Sequence, residues 1–364
     1  MKKTKALLIA ALITASLAGC GNTTTPEPAA TESPAAETAL TESAAEESTT
    51  AETTAESETA TEAETADDTV VRVGSLKGPT SMGLVHLMDT TADSEGANYD
   101  FTMVAAADEL LGKVVSGDLD IALIPANVSS VLYNKTQGGI SVIDINTLGV
   151  LYIVSSDDSI KTIADLKGRT IAMTGKGNTP EYIMNYLLSA NGLTADDVTL
   201  EFKSEAAEVA SMLKEQPDVV GMLPQPFVTA ALAQNEDLKI LLDCTAEWEA
   251  VQGEGGSQLV TGVTVVRNDF LKEHKDLVDA FISSHEASAL YTETNPDETA
   301  ELIAAAGIIE KAPVALKALP YCNIVCITAE DMKTALSGYL EVLFDQDPAS
   351  VGGTLPADDF YYIP

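Results

Sequence analysis

One order of elements occurs twice along this chain. The apolar stretch Val70 to Leu76 reads as a buried strand, followed by the loop Lys77-Gly78-Pro79-Thr80-Ser81 and a helix with Met82, Val85 and Met88 on one stripe. A strand at Tyr99 to Ala105, a helix at Asp108 to Ser116 and a strand at Asp120 to Ile124 complete the unit. After the run Ile140 to Leu148 the order returns. A strand at Thr170 to Thr174 leads through Gly175-Lys176-Gly177-Asn178-Thr179-Pro180 into a helix ending at Ala190. Next come a strand at Thr199 to Lys203, a helix at Glu205 to Gln216 and a strand at Val219 to Leu223. Thr80 to Pro125 and Thr179 to Pro224 are both 45 residues. A single matched spacing also arises by chance among βαβ units of ordinary length, but the alternation itself predicts parallel sheets covered by helices.

The expected fold class is therefore α/β, with two lobes. Beyond Gly262 a strand (Val263 to Val266) precedes helices near 275–293, 296–306 and 328–345, too few strands for a third lobe. In the last helix Met332, Ala335, Leu336, Tyr339, Leu340 and Leu343 fall at helical spacing behind a capping-box-like Thr328 and Asp331. This tail is expected to return to the first lobe, which gives residues 69–147 plus 262–364 as lobe 1 and 148–261 as lobe 2.

The N-terminal segment carries a different signal. Lys2, Lys3 and Lys5 precede an apolar run of 13 residues, Ala6 to Ala18, too short for the roughly 20 that span a bilayer. Leu17-Ala18-Gly19-Cys20 closes it and resembles a bacterial lipobox, so residues 1–19 are expected to be a signal peptide and Cys20 a lipidated anchor. Residues 20–68 are mostly Ala, Thr, Ser, Pro and Glu, without Lys, Arg or aromatic residues. They form an acidic tether that cannot bury enough apolar surface to order itself. The remaining 296 residues hold 17 basic and 43 acidic side chains, which argues against nucleic acid as a partner.

Gly74-Ser75-Leu76-Lys77-Gly78-Pro79-Thr80, Ile145 to Tyr152, Gly175-Lys176-Gly177, Thr179-Pro180-Glu181-Tyr182 and Leu223-Pro224-Gln225-Pro226-Phe227 together resemble the type II periplasmic binding proteins of ABC importers. The nearest look is to the sulfonate, taurine, nitrate and thiamine-pyrimidine-precursor binders. This resemblance implies a clamp of two lobes joined by two crossover segments, near Asn146 to Val150 and Leu259 to Val263. It also implies a monomer on the extracytoplasmic face of the cell membrane that closes over a small molecule and presents it to an ABC permease.

In open α/β sheets ligands sit beyond the carboxyl ends of strands, where helix N-termini offer free N–H groups. Four loops qualify, 77–81, 125–128, 175–180 and 224–227. Their expected ligand-binding residues are Gly78, Pro79, Thr80, Ser81, Pro125, Asn127, Gly175, Lys176, Gly177, Asn178, Thr179, Gln225 and Phe227, with Thr147 at the first crossing. Trp248, the only tryptophan, lies in a polar, Gly-rich stretch and reads either as a stacking face for a planar ligand or as a core residue. A small solute with one anionic group and a planar part against Trp248 is expected, with a neutral heterocycle such as a pyrimidine precursor as the alternative.

No catalytic apparatus is visible, and neither a metal nor a cofactor is expected. His86, His274 and His285 read as solvated helix residues, and no Ser-His-Asp or Cys-His set assembles. Cys322 and Cys326 read as unable to bridge each other. A bridge from Cys244 to either, or buried free thiols, remains the choice. Gly175-Lys176-Gly177 lacks the P-loop pattern. Two other functions compete with import. A lipoprotein presenting its ligand to a sensor has the same sequence, and an enzyme on the same fold conflicts with the lipobox.

Overall fold

The computed structural model describes residues 69–92, 99–105 and 107–364; Cys20 and the tether lie outside them. The first part of the chain runs β1 (Val71–Leu76), α1 (Pro79–Met82), α2 (Val85–Ala92), β2 (Tyr99–Val104), α3 (Ala107–Ser116), β3 (Ile121–Pro125), α4 (Ala126–Thr136) and β4 (Ile140–Leu148). The second comprises β5 (Leu151–Ser155), β6 (Thr170–Met173), α5 (Thr179–Ala190), β7 (Thr199–Phe202), α6 (Ala206–Glu215), β8 (Val220–Pro224), α7 (Phe227–Gln234), β9 (Lys239–Asp243) and α8 (Cys244–Gln252). The last holds β10 (Val260–Arg267), α9 (Asn268–Glu273), α10 (Lys275–Thr294), α11 (Pro296–Ala305), α12 (Ala312–Ala318), β11 (Ile324–Ile327) and α13 (Ala329–Gln346).

Two sheets result, a six-stranded one ordered β11-β4-β10-β3-β1-β2 and a five-stranded one ordered β7-β6-β8-β5-β9. Within each, the βαβ units give parallel pairs, β1 with β2 and β3, and β6 with β7 and β8. Antiparallel strands, β10 in the first sheet and β5 in the second, then extend them. The recurrence seen in the sequence is thus a recurrence of sheet order.

The central strands are apolar on both faces, as parallel strands covered by helices must be: Ile121 to Ile124 and Ile153 to Val154 are fully buried. α13 buries all six residues of its expected stripe. Its start differs from expectation, because Thr328 occupies the N-cap without a side-chain cap bond. The expected first helix is also broken: Gly83 ends α1 after four residues, and α2 begins at Val85. A Cβ on Gly83 would stand 3.1 Å from Ile324 Cγ2, so a close approach to β11 favours glycine there.

Between the sheets the chain passes twice. β4 ends at Leu148 and β5 starts at Leu151, so only Gly149 and Val150 intervene. The return runs from the end of α8 at Gln252 to Val260, whose register partner in β4 is Leu148. Among the described residues no helix is long and apolar enough to cross a membrane.

Candidate functional site

The carboxyl ends of β3 and β8 lie where the chain crosses, with Pro125 in register with Gly262 and Gln225 beside Val150. Gln225, directly after β8, donates its backbone N–H to Val150 O (2.9 Å), and Asn323 Nδ2 donates to Gly149 O (2.5 Å). Tyr152 of β5 donates its hydroxyl to Tyr321 O at 2.8 Å, which ties the second sheet to the segment before β11. Burial and the nearby Asp243 carboxylate push the Tyr152 phenol up, so it stays a neutral donor. Asn323 sits at φ 44°, a left-handed conformation that Asn tolerates better than most residues.

The loop after β1 turns inward. Thr80 and Ser81 hydroxyls donate back to Leu76 O, and both side chains are buried. Thr80 reaches toward Gly262 and Asn146, because a Cβ on Gly262 would lie 2.5 Å from both Thr80 Cγ2 and Asn146 Oδ1. Thr147 Oγ1 donates to Asn146 Oδ1 (2.9 Å). Gly78, with φ 153°, has open space where a Cβ would be, and it and Pro79 are half-buried. Thr80, Ser81 and Thr147 are therefore gathered near the first crossing.

Gln225 is the most informative of the expected residues. Its Oε1 accepts from Thr229 N and Oγ1 at 3.3 and 2.9 Å, while its buried Nε2 has no partner. A buried donor left unpaired costs about 1–3 kcal/mol, so Nε2 is a group that a ligand acceptor would satisfy. Phe227, two residues on, points elsewhere: it is exposed and lines a groove between α6 and α7.

The loop 175–180 departs from expectation. Gly177 N–H, expected to meet an anion, donates to the Glu181 carboxylate at 2.5 Å. Lys176 stands 5.7 Å over the Phe202 ring, Asn178 Nδ2 donates to Lys176 O, and Thr179 meets the phenol of Tyr339. Gly175 has φ 83° and packs on Pro180. Tyr182 donates to Asp347 at 2.9 Å, which brings a further carboxylate beside the start of α5. Two acids at one helix N-terminus leave little positive potential for a solute anion. On the other side Pro125 forms the N-cap of α4 and Asn127 Nδ2 donates to Ser350 O (3.2 Å), so Asn127 fastens the segment after α13.

Trp248 is a core residue. It is fully buried, its indole Nε1 donates to Ser257 O at 3.1 Å, and its ring packs on Tyr186 and Tyr339 at 4.4 and 5.7 Å between centroids. Its polar sequence neighbours are the exposed turns of α8, and its packing partners lie far away in sequence. Cys244, Cys322 and Cys326 are free thiols. Burial pushes the Cys322 thiol up to about 12, as expected for an unreactive thiol. All three arginines are engaged by carboxylates, Arg72 with Asp120, Arg169 with Asp157 and Arg267 with Asp269.

Known proteins share both the central sequence and the fold. A family model described as NMT1/THI5 like matches residues 138–299. The matched stretch carries both crossings and the whole second sheet. A curated protein of Brucella abortus, named as a binding protein, is 20% identical over 269 residues, 73% of this chain and 80% of its own length. Among solved structures, an ABC transporter protein from Parabacteroides distasonis has TM-score 0.68 at 23% identity, over 81% of this chain and 99% of that one. The periplasmic aliphatic sulphonate binding protein of Escherichia coli has TM-score 0.63 at 16% identity, over 81% and 92%. The fold of the described residues is the one these solved structures share. These relatives and neighbours are named as binding or transport proteins.

Proposed function

We propose that the chain is the extracytoplasmic solute-binding component of an ABC importer, held at the membrane by a lipid on Cys20. It captures one small solute where the two sheets meet and presents it, as a monomer, to the permease. Residues 69–147 plus 262–364 and residues 148–261 act as its two closing lobes. One observation carries this reading. The chain crosses between two sheets built on parallel cores of the same order, β2-β1-β3 and β7-β6-β8, and the strand ends at the crossings gather buried polar side chains, including the unpartnered Gln225 Nε2. An enzyme would need a nucleophile or acid–base pair there, whereas amide and hydroxyl groups suffice to hold a solute.

Of the anionic and heterocyclic solutes that the sequence suggests, the geometry favours a heterocycle with a hydrogen-bond acceptor. The α5 terminus is already capped by Glu181, the arginines are engaged, and Gln225 presents an uncharged donor. A thermal-shift panel of pyrimidines, sulfonates, carboxylates and phosphates tests this. A solute at a hundred times its Kd adds about 2.7 kcal/mol. Stabilisation by a pyrimidine-type compound supports the reading; stabilisation by sulfonates alone overturns the ligand class, and an unchanged radius of gyration at saturation overturns closure.

A further inference from the structure

Three ligand-type side chains converge in the first sheet, outside the solute site. Asp144 of β4, His285 of α10 and Cys326 of β11 each place one coordinating atom within 4.8 Å of the others. His285 is not the solvated residue that its charged sequence neighbours suggest. It is fully buried, on the stripe Val278, Phe281, His285, Ser288, Thr292 that α10 turns inward. Asp144 is equally buried, and Cys326 is half-buried.

The cluster is oriented and incompletely satisfied. Asp144 Oδ1 accepts from Thr264 Oγ1 at 2.6 Å, which fixes the carboxylate and leaves Oδ2 3.0 Å from His285 Nδ1. Thr264 in turn accepts from Asn146 Nδ2 at 3.2 Å. His285 Nε2, on the ring edge beside Gly83, is buried with no partner, so Asp144 is the group that orients the imidazole. A hydroxyl that fixes a ligand carboxylate from behind is the kind of outer support that positions metal ligands, and Thr264 supplies it to Asp144. Around Cys326 the register of β11 against β4 shifts between Ile324 and Ile327. Such irregularities re-aim side chains, and β11 is the edge strand of its sheet, which gives an approach from outside.

From this geometry we infer that Asp144, His285 and Cys326 bind one thiophilic divalent cation of the zinc class, with solvent as the fourth ligand. Tetrahedral zinc with ordinary bond lengths sets its ligand atoms about 3.3–3.7 Å apart, so the cluster needs movements of about 1 Å at most. Imidazole and thiolate select zinc over calcium or magnesium. Charge balances as well: binding releases the Cys326 thiol proton to solvent, and one thiolate with one carboxylate neutralises the divalent ion. The loaded site therefore buries no net charge. Its role is to tie the edge strand β11 and helix α10 to β4.

The mature chain, stripped with a chelator, tests this directly. One equivalent of Co²⁺ should give a thiolate-to-cobalt charge-transfer band in the near ultraviolet, and Zn²⁺ should displace it and raise the melting temperature. Cys326→Ser should abolish the band and the zinc-dependent shift while melting like the metal-free parent; His285→Gln should weaken zinc binding at least tenfold. The half-buried Cys326 keeps the test valid if the His285 variant does not fold. Absence of stoichiometric zinc uptake by the parent, or equal uptake by Cys326→Ser, overturns the site.

Discussion

Gly149 offers the sharpest test of the crossing geometry. A Cβ added there would fall well inside contact with Thr245 Oγ1, 2.5 Å from Leu259 Cδ2 and 2.9 Å from its Cγ. Neither neighbour can retreat: Thr245 is buried in the first turn of α8, and Leu259 is buried beside the return crossing. Overpacking of this kind costs about 1–3 kcal/mol, and two obstructing groups, one in α8 and one beside the return crossing, place Gly149→Ala near 2–3 kcal/mol. With an unfolding entropy of about 2.1 cal/mol/K per residue over roughly 300 residues, each kcal/mol lowers the melting temperature by about 1.6 °C. The expected loss is about 3–5 °C by scanning calorimetry of the solute-free protein. Thr245→Ala removes the closest obstruction, so the double variant should recover about 1 kcal/mol relative to additivity. Gly149→Ala melting within 1 °C of the parent, or strict additivity of the two changes, would refute the steric account.

Other outcomes follow from the same structure. Trp248→Ala should destabilise the solute-free protein by about 3–5 kcal/mol, because a buried indole is lost and a cavity remains; solute affinity above the melting loss should be unchanged in calorimetric titration. Gln225→Glu keeps an acceptor for Thr229 but removes the free donor, and should weaken binding of the stabilising solute at least tenfold, with some loss of melting temperature because the new carboxyl is buried. The carboxyls of Asp197, beside Lys167, and of Asp165, held by the Lys161 backbone N–H, are lowered below the ordinary range. Their contribution is complete above the unfolded value near 4 and fades as pH falls through the lower folded values, so melting temperature should drop only in acid. Cys20→Ala should release the protein from membranes in a fractionation after a salt wash.

The order of elements was legible because strands and helices here are short, punctuated and periodic: β4 runs over the residues that its apolar run marks, and α13 buries its predicted stripe. The site was legible only as far as loops follow strands. Whether a loop N–H is free depends on a side chain one turn later, and Glu181 is an ordinary helix-start acid until its carboxylate is seen on Gly177. Trp248 read equally as a stacking face or a core residue because its local sequence is polar, while Tyr186 and Tyr339, which cover it, are 62 and 91 residues away. His285 carried a signal that its charged neighbours hid, since it lies seven residues after Val278 and four after Phe281.

Leu148 and Val260 are paired in register, so the chain leaves the first sheet and re-enters it at a single point. Topologically, the second sheet is an insertion at the tip of a β4–β10 hairpin. Its five strands form one uninterrupted stretch of sequence, whereas β3 and β4 are not neighbours in the sheet and await β10 to join them. As the polypeptide emerges N-terminus first, the inserted half has all its strands while the host half still has open edges on both sides of a gap. The two halves thus differ in folding autonomy even though they share one strand order, and the host is completed by the last third of the chain.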